Sequence, residues 1–179
     1  MISFADQERL LDIARTAVVA TVTGKPQPPP HADGDLAAHH AAAFVSLHIG
    51  GKLRGCIGHL EENTPLVHIV ADCARLACTD DPRFPAVTTA EVDLLDVEIS
   101  VLGAFERVTS DHEIVVGQHG LMIEHNHRRG VLLPQVAIEY RWTPQTFIEQ
   151  TCLKAGVAPD SWRRGGILWR FEAQVFGKR

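Results

Sequence analysis

Two apolar-rich runs separated by a glycine pair constrain the fold of this chain more than any other feature. The runs are AFVSLHI and KLRGCIGHL, and Gly50-Gly51 lies between them. Glycine accepts the positive φ angles of a type I′ turn, which two-residue β-hairpins favour. We therefore predict a tight antiparallel hairpin. The register that this turn imposes pairs Ile49 with Lys52, Leu47 with Arg54, and Val45 with Cys56.

Three segments repeat apolar residues at spacings of three and four, which predicts amphipathic helices. The first should be capped by Ser3 and end at Gly24, and the second should be capped by Asn63 or Thr64. Thr143 should cap the third, which Pro144 begins and Gly156 ends. The segments are SFADQERLLDIARTAVVATVTG, NTPLVHIVADCARLACTD and TPQTFIEQTCLKAG.

Further strands complete a pattern that lacks the regular alternation of a doubly wound parallel sheet. Strands are predicted in VDLLDVEISVLGAF and GILWRFEAQVF, and a second hairpin is predicted in LMIEHNHRRGVLLP, turning near Asn126 to Gly130. We predict the α+β class, with a mixed, mostly antiparallel sheet and flanking helices.

Length and composition limit the classes of function. A chain of 179 residues with 45% hydrophobic residues fits one domain, so residues 1–179 are assigned to a single domain. The net charge of −5 disfavours DNA binding. No apolar run is long enough for a membrane span and no signal peptide opens the chain, so a cytoplasmic location is expected. The four cysteines should be free thiols there.

Cys56 is the main candidate for chemistry. Under the predicted register, Arg54 and Cys56 point to the same side of the sheet, because side chains alternate with period two. Burial raises the pKa of a thiol and a neighbouring arginine lowers it, so Cys56 is either a nucleophile or inert filling. Gly55 and Gly58 indicate close approach of a ligand, or of another segment of this chain, to the strand.

Other polar residues are candidates for supporting roles. His119 is the best distant base for a thiol enzyme, although a turn residue bonded to backbone has the same pattern. Glu98 and Glu124 could serve as acids or orienting groups, or could simply face solvent. Gln135, in the string VLLPQVA, is a further binding candidate. His125 and His127 form only a weak metal pair, and we predict no metal and no cofactor.

Several functional motifs are absent from the sequence. The chain contains no G-x-x-x-x-G-K-[ST], G-x-G-x-x-G, G-x-S-x-G or H-E-x-x-H string. Nucleotide hydrolysis, dinucleotide binding, ordinary serine hydrolysis and zinc proteolysis therefore lose their usual sequence support.

Five strings, in order along the chain, resemble the AMMECR-domain family, called AmmeMemoRadiSam system protein A in prokaryotes. They are LRGCIG, DPRFPAVTTAEVDLLDVEISVL, GQHGLMI, VLLPQVAIEYRWTPQTFIEQTCLKAGV and DSW. The resemblance implies an α+β fold in two unequal lobes around a cleft that the LRGCIG strand faces. It also implies two partners, a Memo-family protein and a radical S-adenosylmethionine protein.

Two functional hypotheses remain open. In the first, the protein is a cysteine-dependent enzyme, or the catalytic accessory subunit of a modification system, using Cys56, Arg54 and His119. In the second, it is a non-catalytic adaptor whose glycine-flanked groove holds a partner segment or a substrate.

Overall fold

The computed structural model describes residues 1–60 and 63–177. It divides into two compact units. The first unit comprises Met1–Val101 and the C-terminal segment that begins at Gln174, and the second comprises Leu102–Ala173. None of the helices in these described ranges is long and apolar enough to cross a membrane.

The first unit opens with the predicted helix. Helix α1 covers Phe4–Thr23. Asp6 donates its backbone N–H to the Ser3 hydroxyl, as expected of an N-cap. Gly24 ends the helix in the left-handed conformation, at a φ of 67°, and donates its N–H to carbonyls of the last turn. Both predicted ends of α1 are confirmed.

Strands β2, β1 and β3 pair antiparallel in that order and form most of the rest of this unit together with a second helix. Val45, Leu47 and Ile99 are fully buried and share a core with side chains of the second helix, which packs on β1 and β2. The element bounds are β1 Ala43–Ile49, β2 Lys52–His59, α2 Leu66–Thr79 and β3 Leu95–Leu102.

The register of the first hairpin differs from the prediction. The turn at Gly50-Gly51 and the Ile49–Lys52 pair are confirmed. A β-bulge then shifts the register between Leu47 and His48. The predicted pairs of Leu47 with Arg54 and Val45 with Cys56 are therefore wrong, because the extra residue on β2 moves each later partner by one. Leu47 pairs with Gly55, Ser46 with Cys56, and Val45 with Ile57.

The start of α2 also differs from the prediction. Pro65, rather than Asn63 or Thr64, occupies the N-cap position, and none of the described side chains caps the helix. Pro65 instead forms a β-bridge with His40, and Leu66 donates its N–H to the His39 carbonyl. A contact with a distant segment thus sets the helix start.

The second unit contains four antiparallel strands and two helices. Strand β7 pairs with β4 on one side and β5 on the other, and β5 pairs with β6. Phe147, Ile148 and Cys152 are fully buried in the core of this unit. The bounds are β4 Glu106–Val108, β5 His119–His125, β6 Arg128–Leu132, α3 Pro134–Glu139, α4 Pro144–Lys154 and β7 Ile167–Gly177, of which the part up to Ala173 belongs here.

The second hairpin is confirmed, with a tighter turn than predicted. Asn126 and His127 adopt left-handed φ values of 50° and 61°. Gly130 lies within β6, where a Cβ would come within 2.5 Å of the Ala155 backbone nitrogen. Gly130 is therefore needed for close packing against the end of α4, and it is not part of the turn.

The α+β class with an antiparallel sheet and flanking helices is confirmed. Thr143 accepts the N–H of Thr146 at the start of α4, as predicted. Cys73, Cys78 and Cys152 are free thiols buried in helices, also as predicted. The assignment of residues 1–179 to one domain, and the cleft, stay predictions.

We predict that Gly55→Ala destabilises the protein by about 2 kcal/mol or more, because overpacking shifts backbone and side chains. A Cβ at position 55 would lie 2.2 Å from the Ala77 carbonyl oxygen of α2. Urea unfolding of the variant measures the loss. Gly103→Ala is the matched control, since its Cβ would make an ordinary 3.4 Å contact. Equal unfolding free energies of the two variants would contradict this account.

Candidate functional site

Cys56 lies at the end of a polar row that crosses the sheet of the first unit. Ser46 on β1 is directly opposite Cys56 on β2, and Glu98 on β3 is directly opposite Ser46. Residues that are directly opposite share one face of an antiparallel sheet. The Ser46 hydroxyl donates a hydrogen bond to the Cys56 sulfur at 3.2 Å. Cys56 is half-buried, while Ser46 and Glu98 are 7% and 6% exposed.

The sequence alternation explains why this row is polar. Val45 and Leu47 on β1 face the helices, so the intervening Ser46 faces the other side. On β3, Val97 and Ile99 flank Glu98 in the same way. The apolar face of the sheet is therefore used for folding, which leaves the opposite face for the thiol, the hydroxyl and the carboxylate.

An aspartate and an arginine from the segment after α2 bind the backbone of Cys56. Among the described residues, β2 is an edge strand, so its outward backbone groups have no strand partner there. Cys56 donates its N–H to the Asp81 carboxylate at 2.8 Å, and Arg83 donates from Nη2 to the Cys56 carbonyl at 3.5 Å. Arg83 also donates Nε and Nη2 to the two Asp81 oxygens, at 2.9 and 2.7 Å.

The Asp81–Arg83 pair sets the charge next to the thiol. Hydrogen bonding from Arg83 is the largest cause that lowers the pKa of Asp81, to about 2. Asp81 in turn raises the pKa of Arg83, and the Cys56 thiol adds smaller contributions in the same direction. The guanidinium that interacts with the Cys56 thiol is therefore that of Arg83. A cation beside a thiol favours its thiolate form.

Arg54 has a different environment from the one predicted. Its guanidinium donates to both Glu91 oxygens, at 2.8 and 3.2 Å, and to the carbonyls of Pro85 and Ala86. Hydrogen bonding to Arg54 is the largest cause that lowers the pKa of Glu91, to about 2. Because the β-bulge interrupts the period-two alternation at Arg54, a common side of the sheet for Arg54 and Cys56 stays a prediction. Arg54 thus holds the segment that contains Asp81 and Arg83.

Packing within the first unit accounts for the two glycines beside Cys56. Gly55 lies against the Ala77 carbonyl of α2. At Gly58, a Cβ would come within 2.2 Å of the Phe44 ring, which lies opposite on β1. The close approach that the sequence indicated is therefore made by this chain. A binding role for Gly55 and Gly58 stays a prediction.

His119 belongs to the second unit, where it begins β5. It is 7% exposed, and its Nδ1 accepts the Val115 N–H at 3.0 Å. Burial, followed by the charge of Arg170, lowers the pKa of His119, so the ring is neutral at pH 7. The role of His119 as a base for Cys56 stays a prediction.

The remaining candidates are also in the second unit. Gln135 is the second residue of α3 and is half-buried. Glu124 on β5 accepts a hydrogen bond from Arg129 on β6. His125 and His127 adjoin or occupy the hairpin turn. In residues 1–60 and 63–177, no group of three or more His, Cys, Asp and Glu side chains is arranged to hold a metal ion.

Sequence reasoning missed Ser46, Asp81 and Arg83. Ser46 could not be found because the bulge position decides which residue lies opposite Cys56. Asp81 and Arg83 did carry a signal, since both stand in the DPRFPAV string that supports the family resemblance.

These features define an α+β protein with a half-buried thiol held between an arginine–aspartate pair and a buried serine–glutamate pair. The chain belongs to the AMMECR1 family, whose model matches residues 11–176. The predicted family resemblance is therefore confirmed.

Archaeal relatives and a solved structure agree with this assignment. Protein MJ0810 of Methanocaldococcus jannaschii is 43% identical over 142 residues, which cover 74% of this chain and 71% of that protein. A protein of Methanothermobacter thermautotrophicus is 39% identical over 175 residues, covering 93% and 91%. The crystal structure of the uncharacterized protein PH0010 from Pyrococcus horikoshii is similar, with a TM-score of 0.89, 35% identity and coverage of 97% and 91%.

We predict that stability falls on acidification from about pH 4 towards pH 2, in part because Asp81 must accept a proton. The pKa of Asp81 is about 2 in the folded protein, and its ordinary value is 3.8. The ionised Asp81 carboxylate therefore contributes fully to the free energy of unfolding above pH 3.8, and this contribution is lost as the pH falls through 2. That contribution is about 2 kcal/mol. Carbon-detected NMR titration of the Asp81 carboxyl measures the pKa directly.

The variant Arg83→Met should raise the pKa of Asp81 and lower the unfolding free energy at pH 7, because it leaves a buried carboxylate without its cation. Arg75→Met is the matched control: Arg75 pairs with Asp72 on the same unit, and both side chains are more than two-fifths exposed. It should cost at most about 0.5 kcal/mol. An ordinary pKa for Asp81 in the unchanged protein would contradict the account.

Proposed function

We propose that the protein is a thiol-dependent enzyme, or the catalytic accessory subunit of a modification system, in which Cys56 is the nucleophile. One observation carries this proposal: the Arg83 guanidinium donates to the Cys56 carbonyl and to Asp81, next to a thiol that is only half-buried. Arg83 is 49% exposed, so a substrate in solvent can reach the cation that stabilises the thiolate.

The other three cysteines are unsuited to this role. Burial raises the pKa of Cys73 to about 12 and that of Cys78 to about 11. Burial also raises the pKa of Cys152. A thiol that is buried and protonated at pH 7 is neither accessible nor nucleophilic.

The residues around Cys56 have different roles in such a site. Asp81 fixes the backbone N–H of Cys56 and orients Arg83 through two hydrogen bonds. The Ser46 hydroxyl donates to the sulfur and so favours its anionic form. Arg54 acts as a positioning residue, because its bonds to Glu91, Pro85 and Ala86 hold the segment from which Arg83 extends.

The adaptor hypothesis has less support from the contacts in the first unit. It required a glycine-flanked groove that accepts a partner segment or a substrate. Helix α2 occupies the space beside Gly55, and the Phe44 ring occupies that beside Gly58. The packing role of the two glycines therefore weakens the adaptor hypothesis.

The partners of this activity follow from the family resemblance in the sequence. The resemblance implies that members of this family are often encoded beside a Memo-family protein and a radical S-adenosylmethionine protein. We propose that this chain acts with both, and that its contribution to the system depends on Cys56.

We predict that iodoacetamide modifies Cys56 below pH 7 much faster than it modifies an ordinary thiol of pKa about 8.5. Arg83→Met should slow the reaction below pH 7 by about tenfold, because it removes the cation beside the sulfur. Mass spectrometry of the modified peptides measures the rate, and the three buried cysteines serve as internal controls.

Arg75→Met provides the matched variant, since it removes an arginine of the same unit that is paired with Asp72. It should leave the alkylation rate unchanged. Slow alkylation of Cys56 up to pH 8, or equal alkylation rates in Arg83→Met and Arg75→Met, would exclude Cys56 as a nucleophile.

We predict that the tagged protein co-purifies with the Memo-family and radical S-adenosylmethionine proteins encoded in the same genome. The complex should survive Cys56→Ser, whereas the activity of the reconstituted system should be lost. If the Cys56→Ser variant keeps both the complex and the activity, the adaptor hypothesis is favoured. Absence of any complex among the three purified proteins would refute the partnership.

A further inference from the structure

The second unit contains a polar cavity. Its volume is about 300 Å³, and it is lined by Glu106, Gln118, His119, Arg170, Glu172 and neighbouring backbone. We name it the His119 cavity. Small-molecule sites begin at about this size.

Strand pairing brings four of these side chains to one face of the sheet. Glu106 on β4 is directly opposite Arg170 on β7, and His119 on β5 is directly opposite Glu172 on β7. Arg170 and Glu172 are two residues apart, so they share a face. Two carboxylates, a guanidinium and an imidazole therefore line one surface, although they lie far apart in the sequence.

The polar cluster lies where the apolar core of this unit ends. Leu168 is on the same face of β7 as Arg170, and it is 2% exposed within the core. Along β7, this face is therefore apolar at Leu168 and charged at Arg170 and Glu172. Charged groups that converge on a cavity can fix the orientation of a ligand there.

His119 provides a fixed hydrogen-bond donor. Its Nδ1 accepts the Val115 N–H, and its own backbone N–H is donated to the Val115 carbonyl, both at 3.0 Å. Since Nδ1 accepts and the ring is neutral, the proton is on Nε2. Within the described part of the chain, Nε2 has no hydrogen-bond partner, and it is not among the buried unpaired side-chain atoms, so a ligand in the cavity can reach it.

Arg170 provides further donors. It uses Nε and Nη2 on the Glu106 carboxylate, at 3.0 and 2.7 Å, and Nη1 on the Glu113 carbonyl. A guanidinium has five N–H groups, so two remain after these bonds among the residues that the structure describes. Together with His119 Nε2–H, these groups can bind a carboxylate.

The carboxylates provide acceptors of the opposite charge. Glu106 uses one oxygen for Arg170, and Glu172 uses one for the Gln118 amide at 2.6 Å. In residues 1–60 and 63–177, the second oxygen of each has no hydrogen-bond partner. With two carboxylates, one guanidinium and a neutral histidine, the lining has a net charge of −1. A ligand should therefore carry an ammonium group.

We propose that the His119 cavity binds a small zwitterion, an amino acid in the chemical sense. Its carboxylate accepts hydrogen bonds from His119 Nε2–H and Arg170, and its ammonium donates to Glu106 and Glu172. The cavity volume limits the ligand to a short carbon chain between or beside the two charged groups.

The experiment is isothermal titration calorimetry of the full chain with alanine and β-alanine. Propanoate, which lacks the ammonium, and propylamine, which lacks the carboxylate, are the matched ligands. At least one amino acid should bind saturably, and each matched ligand should bind at least about tenfold more weakly. Propanoate or propylamine binding as tightly as the amino acids, or no saturable binding of either amino acid, would overturn the proposal.

Glu172→Gln tests the site itself, because it removes a charge and keeps the side-chain shape. It should weaken amino-acid binding about tenfold. Glu139→Gln, at an exposed position of α3 outside the cavity, is the control and should have no effect. Equal affinities of the two variants would overturn the assignment.

A spectroscopic measurement on the unchanged protein avoids any effect of substitution on folding. The amino acid that binds should shift the Nε2 resonance of His119 in a long-range proton–nitrogen NMR spectrum, and propanoate at the same concentration should not. An unshifted His119 resonance at ligand saturation would overturn the assignment.

Discussion

The arrangement of the first unit depends on the hydrogen bond from the Cys56 N–H to the Asp81 carboxylate. An edge strand must satisfy its outward N–H and C=O groups without a neighbouring strand. Asp81 meets this requirement at the position that also holds the thiol. Because Asp81 is 4% exposed, its charge requires a close cation, and Arg83 supplies it. The same interaction that completes the sheet edge thus places an arginine beside the sulfur.

A second charged pair supports the first. Arg54 bonds Glu91 in two places and also two carbonyls of the intervening segment. Glu91 at the same time accepts the N–H and the hydroxyl of Thr88 at the start of a short 3-10 helix over Thr89–Leu94. The segment between α2 and β3 contains two prolines and no strand, so these polar bonds give it one conformation. The LRGCIG string therefore combines a packing glycine, a bracing arginine and the candidate nucleophile within a few residues.

In each unit, the apolar core borders a group of polar side chains that lie on one face of the sheet. In the first unit, the face of the sheet opposite the helices carries Ser46, Cys56 and Glu98. In the second, the face of β7 that begins with Leu168 continues into Arg170 and Glu172. In both, residues from different strands become neighbours only through antiparallel pairing. The two proposed sites can therefore be tested separately, the Cys56 site by thiol reactivity and the His119 cavity by ligand binding.

The sequence by itself determined the elements of this protein and its family. Gly50-Gly51 predicted the hairpin, Ser3 and Gly24 predicted the ends of α1, and Thr143 predicted the start of α4, because turn and cap preferences depend on neighbouring residues. The LRGCIG and DPRFPAV strings identified the family for the same reason, since each is contiguous. Tertiary structure alone decided the position of the bulge on β2, and with it the exchange of Val45 for Ser46 opposite Cys56. It also decided that Arg83 rather than Arg54 interacts with that thiol, and that Glu106, His119, Arg170 and Glu172 share one face. These outcomes depend on pairing register and on contacts between distant segments, which periodicity along one chain does not specify.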